Sequence, residues 1–232
     1  MRLYLVRHGQ TASNVGGYLD TTVPGAPLNE LGQDQARLLV RTLDGLPLEA
    51  LYASTQRRAQ QTAAPLAADR GLEVAVRDGL REIAAGELEM RNDEDAVRAY
   101  FMAFGAFAAG DLQARMPGGE TGAQVLGRFD EVVEEISASG VEAAAIVSHG
   151  AMLRTWTGYR CVNLDAEYVL RNPLTNTGVI AVDGSPSSGW LADTWIGEPV
   201  AAPEEEAGPT GESVDDAVED AGDREDRSDR GF

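Results

Sequence analysis

The chain has 232 residues, 43% of them hydrophobic, and a formal net charge of −19 at pH 7. This length fits one or two domains, with a core large enough to bury catalytic groups without disulfides. The acidic charge argues against nucleic acid or an anionic membrane as a partner, and the single cysteine, Cys161, excludes an internal disulfide. No stretch approaches the ~18 apolar residues of a membrane span, so we expect a cytoplasmic protein.

Strands and helices alternate along the chain. Apolar runs predict strands over 1–6, 48–53, 72–76 and 141–147, and a late hairpin over 177–182 and 190–195. Helical periodicity predicts helices over 31–43, 94–109, 121–139 and 151–159, and another that Ser54 would cap and that ends near Arg70. The stretch 14–28 is loop-like. The alternation predicts an α/β fold with a mainly parallel sheet.

Residues 200–232 differ in composition from the rest of the chain. They carry 12 acidic and 3 basic side chains and are rich in Pro, Gly, Ala and Ser. Such a segment buries too little apolar surface to fold. We therefore expect a folded domain over 1–199 and an acidic, disordered tail over 200–232 that either solubilises the protein or binds a partner.

All 19 basic residues are arginine, and the chain contains no lysine. This excludes Schiff-base chemistry and the lysine of a P-loop. A phosphate site would have to use arginine, histidine and backbone amides, and the planar guanidinium group can bind phosphate oxygens in pairs. Arginine without lysine, with abundant alanine and glycine, is typical of a GC-rich bacterial genome.

The chain has only two histidines, His8 and His149, and each follows a predicted strand and precedes a glycine. A lone histidine after a strand is more often structural than catalytic. In an open α/β sheet, however, catalytic groups gather at the carboxyl ends of the strands. A neutral imidazole is also a competent nucleophile near neutral pH. The shared context therefore indicates an active site.

Six segments follow one another in chain order. They are Arg7-His8-Gly9-Gln10-Thr11 with Asn14, 28–36, 53–63, Leu80-Arg81-Glu82, Gly118-Gly119-Glu120-Thr121 and Ser148-His149-Gly150. Together they resemble the histidine phosphatase superfamily, in its phosphoglycerate mutase-like branch, over about residues 1–185. The resemblance implies a three-layer α/β/α fold with a mainly parallel central sheet.

The resemblance also implies a role for each matching residue. His8 would be the nucleophile that forms a phosphohistidine, and Glu82 the general acid and base. Around the phosphate would stand Arg7, Arg58 and His149. Further substrate or phosphate contacts are expected from Gly9, Asn14, Thr21 and Gly150. No metal ion and no cofactor are expected, because a side chain supplies the nucleophile.

Several of these assignments have rivals in the sequence. Arg57 competes with Arg58, and Glu87 and Glu89 compete with Glu82. Asn14 could instead form an Asx-turn, and the segment that contains Thr21 could be an ordinary turn.

The activity within the family depends on what covers the phosphate pocket. The insertion between Glu82 and Glu120 offers only Arg91, Arg98 and Arg115 as cations and is aromatic over 100–107. A phosphoglycerate mutase needs more positive charge to hold its substrate. We therefore expect a metal-independent phosphatase for small phosphate esters. The alternatives are a cofactor-dependent phosphoglycerate mutase and a non-catalytic phospho-ligand or protein-binding module. A homodimer is left open.

Overall fold

The computed structural model describes residues 1–201. The predicted tail, 200–232, lies outside these residues apart from its first two positions. The strands are β1 (Arg2–Arg7), β2 (Ala50–Ser54), β3 (Val74–Arg77), β4 (Ala143–Ser148), β5 (Val179–Ser185), β6 (Gly189–Trp195) and β7 (Glu198–Pro199). The helices are α1 (Ala12–Gly16), α2 (Glu30–Thr42), α3 (Arg57–Arg70), α4 (Glu94–Ala108), α5 (Gly122–Ala138), α6 (Gly150–Arg160) and α7 (Ala166–Arg171).

The seven strands form one sheet in the order β3-β2-β4-β1-β5-β6-β7. The first four of these strands are parallel to one another, and β5, β6 and β7 pair antiparallel at the other side. This confirms the mainly parallel sheet and the late hairpin. Arg7 at the end of β1 pairs in register with Ser148 at the end of β4. The residues that follow these two strands therefore lie side by side.

Helices cover both faces of the sheet. Side chains alternate along β1, so that Leu3 and Leu5 enter one apolar cluster while Tyr4 and Val6 enter the other. Side chains of α2 and α3 pack in the second cluster, and those of α4, α5 and α6 pack in the first. The three-layer α/β/α architecture is thus confirmed.

Two local expectations need correction. The first residues of the predicted loop 14–28 belong to α1, which Thr11 caps through a reciprocal box with Asn14 and which ends at Gly17 with φ 68°. The rest of that stretch contains no helix. Ser54 does not cap α3, which begins at Arg57 after Gln56. The Ser54 hydroxyl lies instead 2.8 Å from His149 Nε2, because Ser54 is buried at the end of β2.

No helix within residues 1–201 is long and apolar enough to cross a membrane.

Candidate active site

The two histidines meet at the carboxyl ends of the adjacent parallel strands β1 and β4. Their ring centroids are 5.1 Å apart, with the ring planes at 57°. Both side chains are buried. The pairing of Arg7 with Ser148 brings the two histidines together although their residue numbers differ by 141.

A cavity of about 250 Å³ opens beside the histidines. Its wall brings together seven of the nine predicted site residues, namely Arg7, His8, Asn14, Thr21, Arg58, Glu82 and Gly150. His149 lies beneath the wall, against the His8 ring. Gly9 is not part of the wall. A larger surface cavity, of about 280 Å³, lies elsewhere, beside Asp130, Tyr159 and Trp190, and contains none of the predicted site residues.

The hydrogen bonds of His8 define which of its ring nitrogens can act as a nucleophile. Nδ1 lies 2.7 Å from the Gly9 carbonyl oxygen. Because a carbonyl can only accept, Nδ1 carries the proton and Nε2 carries the lone pair. Arg58 donates from Nε to this Nε2 at 3.1 Å, which agrees with that tautomer. Nε2 is therefore the atom that can attack an electrophile.

Burial holds the pKa of His8 well below its usual value near 6.5. The positive charges of Arg58 and then Arg7 lower this pKa further. The Gly9 carbonyl opposes these effects, but they outweigh it. These effects favour the neutral ring, with its Nε2 lone pair intact, at neutral pH.

Three buried donors around the cavity have no hydrogen-bond partner within residues 1–201. They are Arg7 Nε, Arg58 Nη1 and His149 Nδ1. Burying unpaired donors is costly, and an anion held by them would remove that cost. Burial also lowers the pKa of both arginines. The donor set fits the three equatorial oxygens of a phosphoryl group.

Arg58, and not its neighbour Arg57, is the arginine that enters the site. Its side chain is buried, and its Nη2 donates to the Asp20 carbonyl oxygen at 2.8 Å. The Asp20 carboxylate lies 3.7 Å from its Nη1. Arg57 is exposed and does not line the cavity. The structure therefore favours the Arg58 prediction over its rival.

Ser54 defines the protonation of His149. The Ser54 hydroxyl lies 2.8 Å from His149 Nε2 but 3.5 Å from Gln56 Oε1, its other acceptor. The shorter distance favours donation to Nε2, which leaves the ring proton on Nδ1. Burial and then the charge of Arg58 lower the pKa of His149 well below its usual value. His149 is thus a neutral donor, and the donor atom is the unpartnered Nδ1.

Three backbone N–H groups, two of them at the start of α6, hold the Glu82 carboxylate. Met152 N and Ile83 N donate to Oε1 at 2.9 Å, and Ala151 N donates to Oε2 at 3.2 Å. Of the rivals, Glu87 is exposed. Glu89 accepts hydrogen bonds from the Thr21 and Thr22 backbone and from the Thr21 hydroxyl. Glu82 is the one of these three carboxylates that lines the cavity.

The two site glycines have packing roles. A Cβ on Gly9 would lie 2.6 Å from the Gly32 carbonyl oxygen, and the Gly9 N–H donates to Thr62 Oγ1. Gly9 therefore lets the turn after β1 approach α2, and its expected contact with phosphate stays a prediction. A Cβ on Gly150 would lie 3.2 Å from Arg7 Nε. Gly150 thus makes room for the arginine, and it also lines the cavity.

Asn14 and Thr21 line the cavity, but part of each side chain is already engaged. Asn14 Oδ1 accepts from Thr11 N and from Asn176 Nδ2, so its own Nδ2 is the atom that can donate to a ligand. The Thr21 hydroxyl bonds Glu89 and accepts from Ala85 N at 2.8 Å. Thr21 therefore shapes the wall with its loop, whereas Asn14 both caps α1 and faces the site.

A family model described as "Histidine phosphatase superfamily (branch 1)" matches residues 3–197. The chain belongs to the histidine phosphatase superfamily. It is 32% identical over 212 residues to the PE-PGRS family protein PE_PGRS11 of Mycobacterium tuberculosis, a match that covers 84% of this chain and 36% of that protein. The chain thus spans about a third of that relative's length.

Other relatives carry the names of phosphatases and mutases. The putative phosphoserine phosphatase 2 of Hydrogenobacter thermophilus is 31% identical over 66% of this chain and 74% of its own length. A probable phosphoglycerate mutase, GpmB, of Photorhabdus laumondii is 29% identical over 85% of this chain and 91% of its own. The solved structure of a mycobacterial glucosyl-3-phosphoglycerate phosphatase matches with a TM-score of 0.71 and 28% identity, over 84% of this chain and 98% of that one.

The cations of the family's variable insertion do not reach the cavity in this chain. Arg91 pairs with Asp93 at 2.7 Å, Arg98 pairs with Glu94 at 2.6 Å, and Arg115 donates to a backbone carbonyl. None of these three arginines lines the cavity. The same insertion contributes aromatic wall residues, namely Tyr100, Phe101 and Phe104. Within residues 1–201, no group of three or more His, Cys, Asp and Glu side chains is arranged to hold a metal ion.

Sequence reasoning missed two groups of this histidine phosphatase site. Gln56 is buried and joins Glu82 N, through its Oε1, to the Thr21 carbonyl, through its Nε2. Arg154 lines the cavity from α6. A signal for Arg154 was present, because it stands one helical turn after Gly150 and so shares the face that begins at the site. Gln56 gave no comparable signal.

Proposed function

We propose that this protein is a metal-independent phosphatase that hydrolyses small phosphate monoesters through a phosphohistidine on His8. The observation that carries the proposal is the geometry of the His8 ring: its Nδ1 bonds a carbonyl oxygen, and its Nε2 accepts from Arg58 in a cavity with unpaired donors. We place this activity in a catalytic domain over residues 1–199.

The first step transfers the phosphoryl group to the protein. In this structure Arg58 Nε donates a hydrogen bond to the lone pair of His8 Nε2. A phosphate that binds Arg58 replaces that hydrogen bond and brings phosphorus next to the freed Nε2. The N–P bond forms, the ester P–O bond breaks, and Glu82 in its acid form gives a proton to the leaving oxygen. Arg7, Arg58 and His149 Nδ1 stabilise the charge on the equatorial oxygens.

The second step returns His8 to its starting state. Glu82, now a carboxylate, accepts a proton from a water molecule that attacks phosphorus. The N–P bond breaks, inorganic phosphate leaves, and the electron pair returns to His8 Nε2. One carboxyl group serves both steps because the second step reverses the proton transfer of the first.

A phosphoglycerate mutase is the second candidate, and one observation favours it. Arg154 adds a third arginine to the wall of the cavity, beyond Arg7 and Arg58. Against it, the insertion's arginines pair elsewhere, as described above, and no other arginine of residues 1–201 lines the cavity. Aromatic side chains make up that part of the wall. We therefore rank hydrolysis of the phosphohistidine above transfer of its phosphoryl group back to a phosphoglycerate.

Phosphorus NMR of the purified protein distinguishes these candidates. The sample contains excess chelator, 3-phosphoglycerate and p-nitrophenyl phosphate, with a trace of 2,3-bisphosphoglycerate as primer. Free phosphate that grows from either ester is the expected result. Conversion to 2-phosphoglycerate with little free phosphate would establish the mutase. A non-catalytic binding module would produce neither signal, and in that case His8→Ala would keep any ligand affinity.

A further inference from the structure

We propose that Arg154 forms a second anion subsite in the catalytic cavity, which binds a carboxylate carried by the substrate's leaving group. The proposal rests on the proposed function and narrows its substrate class to compact phosphate esters with a carboxylate. Neither the family resemblance nor the named relatives assign this residue a role.

Arg154 reaches the cavity from the second turn of α6. It is only 7% exposed, and it lines the same wall as His8 and Glu82. Its guanidinium carbon lies 5.0 Å above the ring of Phe104, another wall residue. It makes no hydrogen bond to either histidine. Its hydrogen bonds therefore anchor Arg154 to α7 and not to the residues around His8.

The partners of Arg154 within residues 1–201 are all uncharged. Nε donates to the Val169 carbonyl at 2.7 Å, and Nη2 donates to the Leu170 carbonyl at 3.1 Å. Neither the hydrogen bonds nor the ion pairs of this part of the chain give it a carboxylate partner. Burial lowers the pKa of Arg154, the charge of Arg7 lowers it further, and the charge of Glu82 raises it. A buried cation that hydrogen-bonds no carboxylate is costly, and an anion bound directly to it would offset that cost.

The chemistry of this position matches a carboxylate. Two of the three guanidinium nitrogens already bond carbonyl oxygens, so Nη1 is the nitrogen left to contact a ligand. A single positive charge with one free nitrogen suits a monoanion better than a second phosphate dianion. The cavity, at about 250 Å³, lies just below the range of ~300–1,000 Å³ that holds drug-sized ligands. A small ester that carries both a phosphate and a carboxylate is therefore a suitable probe.

A purely structural reading makes Arg154 a clamp between α6 and α7, because both its carbonyl partners belong to α7. Two matched esters separate the readings. 3-Phosphoglycerate and glycerol 3-phosphate have the same carbon skeleton, and they differ in that the first has a carboxylate where the second has a hydroxymethyl group. A clamp treats both esters alike, whereas a subsite distinguishes them.

The experiment measures kcat and KM for both esters in the wild type, Arg154→Met and Arg154→Lys. We expect Arg154→Met to lower kcat/KM for 3-phosphoglycerate about 10- to 100-fold, mainly through KM, as for loss of a charged hydrogen bond. Glycerol 3-phosphate should change by less than about 3-fold, the range of an indirect packing effect. Arg154→Lys keeps the charge and should retain part of the discrimination. Arg160→Met is the control, because Arg160 lies on the same helix and pairs with Asp130 outside the cavity.

An equal loss for both esters in Arg154→Met, or an unchanged ratio, would overturn the subsite. If the proposed function is wrong, the result differs: the wild type releases phosphate neither from the two esters nor from p-nitrophenyl phosphate. Calorimetric binding of the two esters to the wild type and to Arg154→Met then decides the subsite. Tighter binding of 3-phosphoglycerate that Arg154→Met abolishes supports it, and equal or absent binding refutes it.

Discussion

Glu82→Gln should separate the two steps of the reaction. Glutamine keeps the Oε1 acceptor for Ile83 N and Met152 N, both at 2.9 Å, but it cannot give or take a proton. General acid–base catalysis contributes about 10²–10⁴ in rate. For an alkyl phosphate we therefore expect kcat to fall by about 10²–10⁴, or about 2.7–5.4 kcal/mol of barrier.

The leaving group determines which step of the reaction becomes slower in Glu82→Gln. p-Nitrophenolate leaves without a proton, so phosphorylation of His8 should survive in Glu82→Gln while hydrolysis of the phosphohistidine slows. Stopped-flow absorbance should then show a burst of about one p-nitrophenolate per active site, followed by a slow phase. The wild type should show a smaller burst or none.

The structure also gives the controls for this substitution. The new amide nitrogen faces Ala151 N, at 3.2 Å in the present structure, so one charged hydrogen bond is lost, worth about 1.5–3 kcal/mol of stability. A thermal melt accounts for that loss. Glu87→Gln makes the same change on an exposed carboxylate outside the cavity. If Glu82→Gln kept an alkyl phosphatase rate within tenfold of the wild type, or if Glu87→Gln fell as far, the assignment of Glu82 would be wrong.

Two further predictions concern the histidines. Ser54→Ala removes the donor to His149 Nε2, so the ring can move its proton to Nε2 and present a lone pair to the phosphate; kcat should fall about 10²-fold, as for one lost donor to transition-state charge. Histidine-selective ¹⁵N NMR resolves this tautomer, since the chain has two histidines, and an unchanged tautomer in Ser54→Ala would contradict the assignment. The second prediction is a pH dependence of stability. The pKa of both His8 and His149 is lower in the folded state than in the unfolded chain, so the unfolded state binds more protons below about pH 6.5. Stability should therefore fall with pH below that value, by up to about 1.4 kcal/mol per pH unit for each histidine. Urea unfolding at pH 7.5 and 5.5 measures it, and a His149→Gln variant with the same slope as the wild type would refute it.

The parts of the site that follow from local pattern could be predicted from the sequence. His8 and His149 each come directly after a strand, and parallel strand ends meet at one edge of the sheet, so their proximity follows from the topology. Arg58 opens a helix that follows another strand, β2. These residues are positioned by secondary structure that short stretches of sequence specify.

Other roles depend on contacts that no local pattern specifies. The hydroxyl of Ser54 bonds a histidine 95 positions away, a contact that the local sequence does not indicate. The local sequence predicts a helix cap at Ser54 instead. Gly9 is required by the close approach of the Gly32 backbone, which lies far from it in sequence. Arg154 becomes a cavity residue because α7 supplies its backbone acceptors and α4 places Phe104 beneath its guanidinium group. Such roles arise from tertiary packing and were found only in the structure.

Direct detection of the phosphoenzyme tests the central claim most directly. Glu82→Gln is mixed with p-nitrophenyl phosphate, quenched in alkali to preserve the N–P bond, digested and mapped by mass spectrometry. The account predicts a phosphoryl group on His8 alone, close to one per chain, and none in the Glu82→Gln protein that also carries His8→Ala. Phosphate on another residue, or turnover with no covalent intermediate, would contradict it.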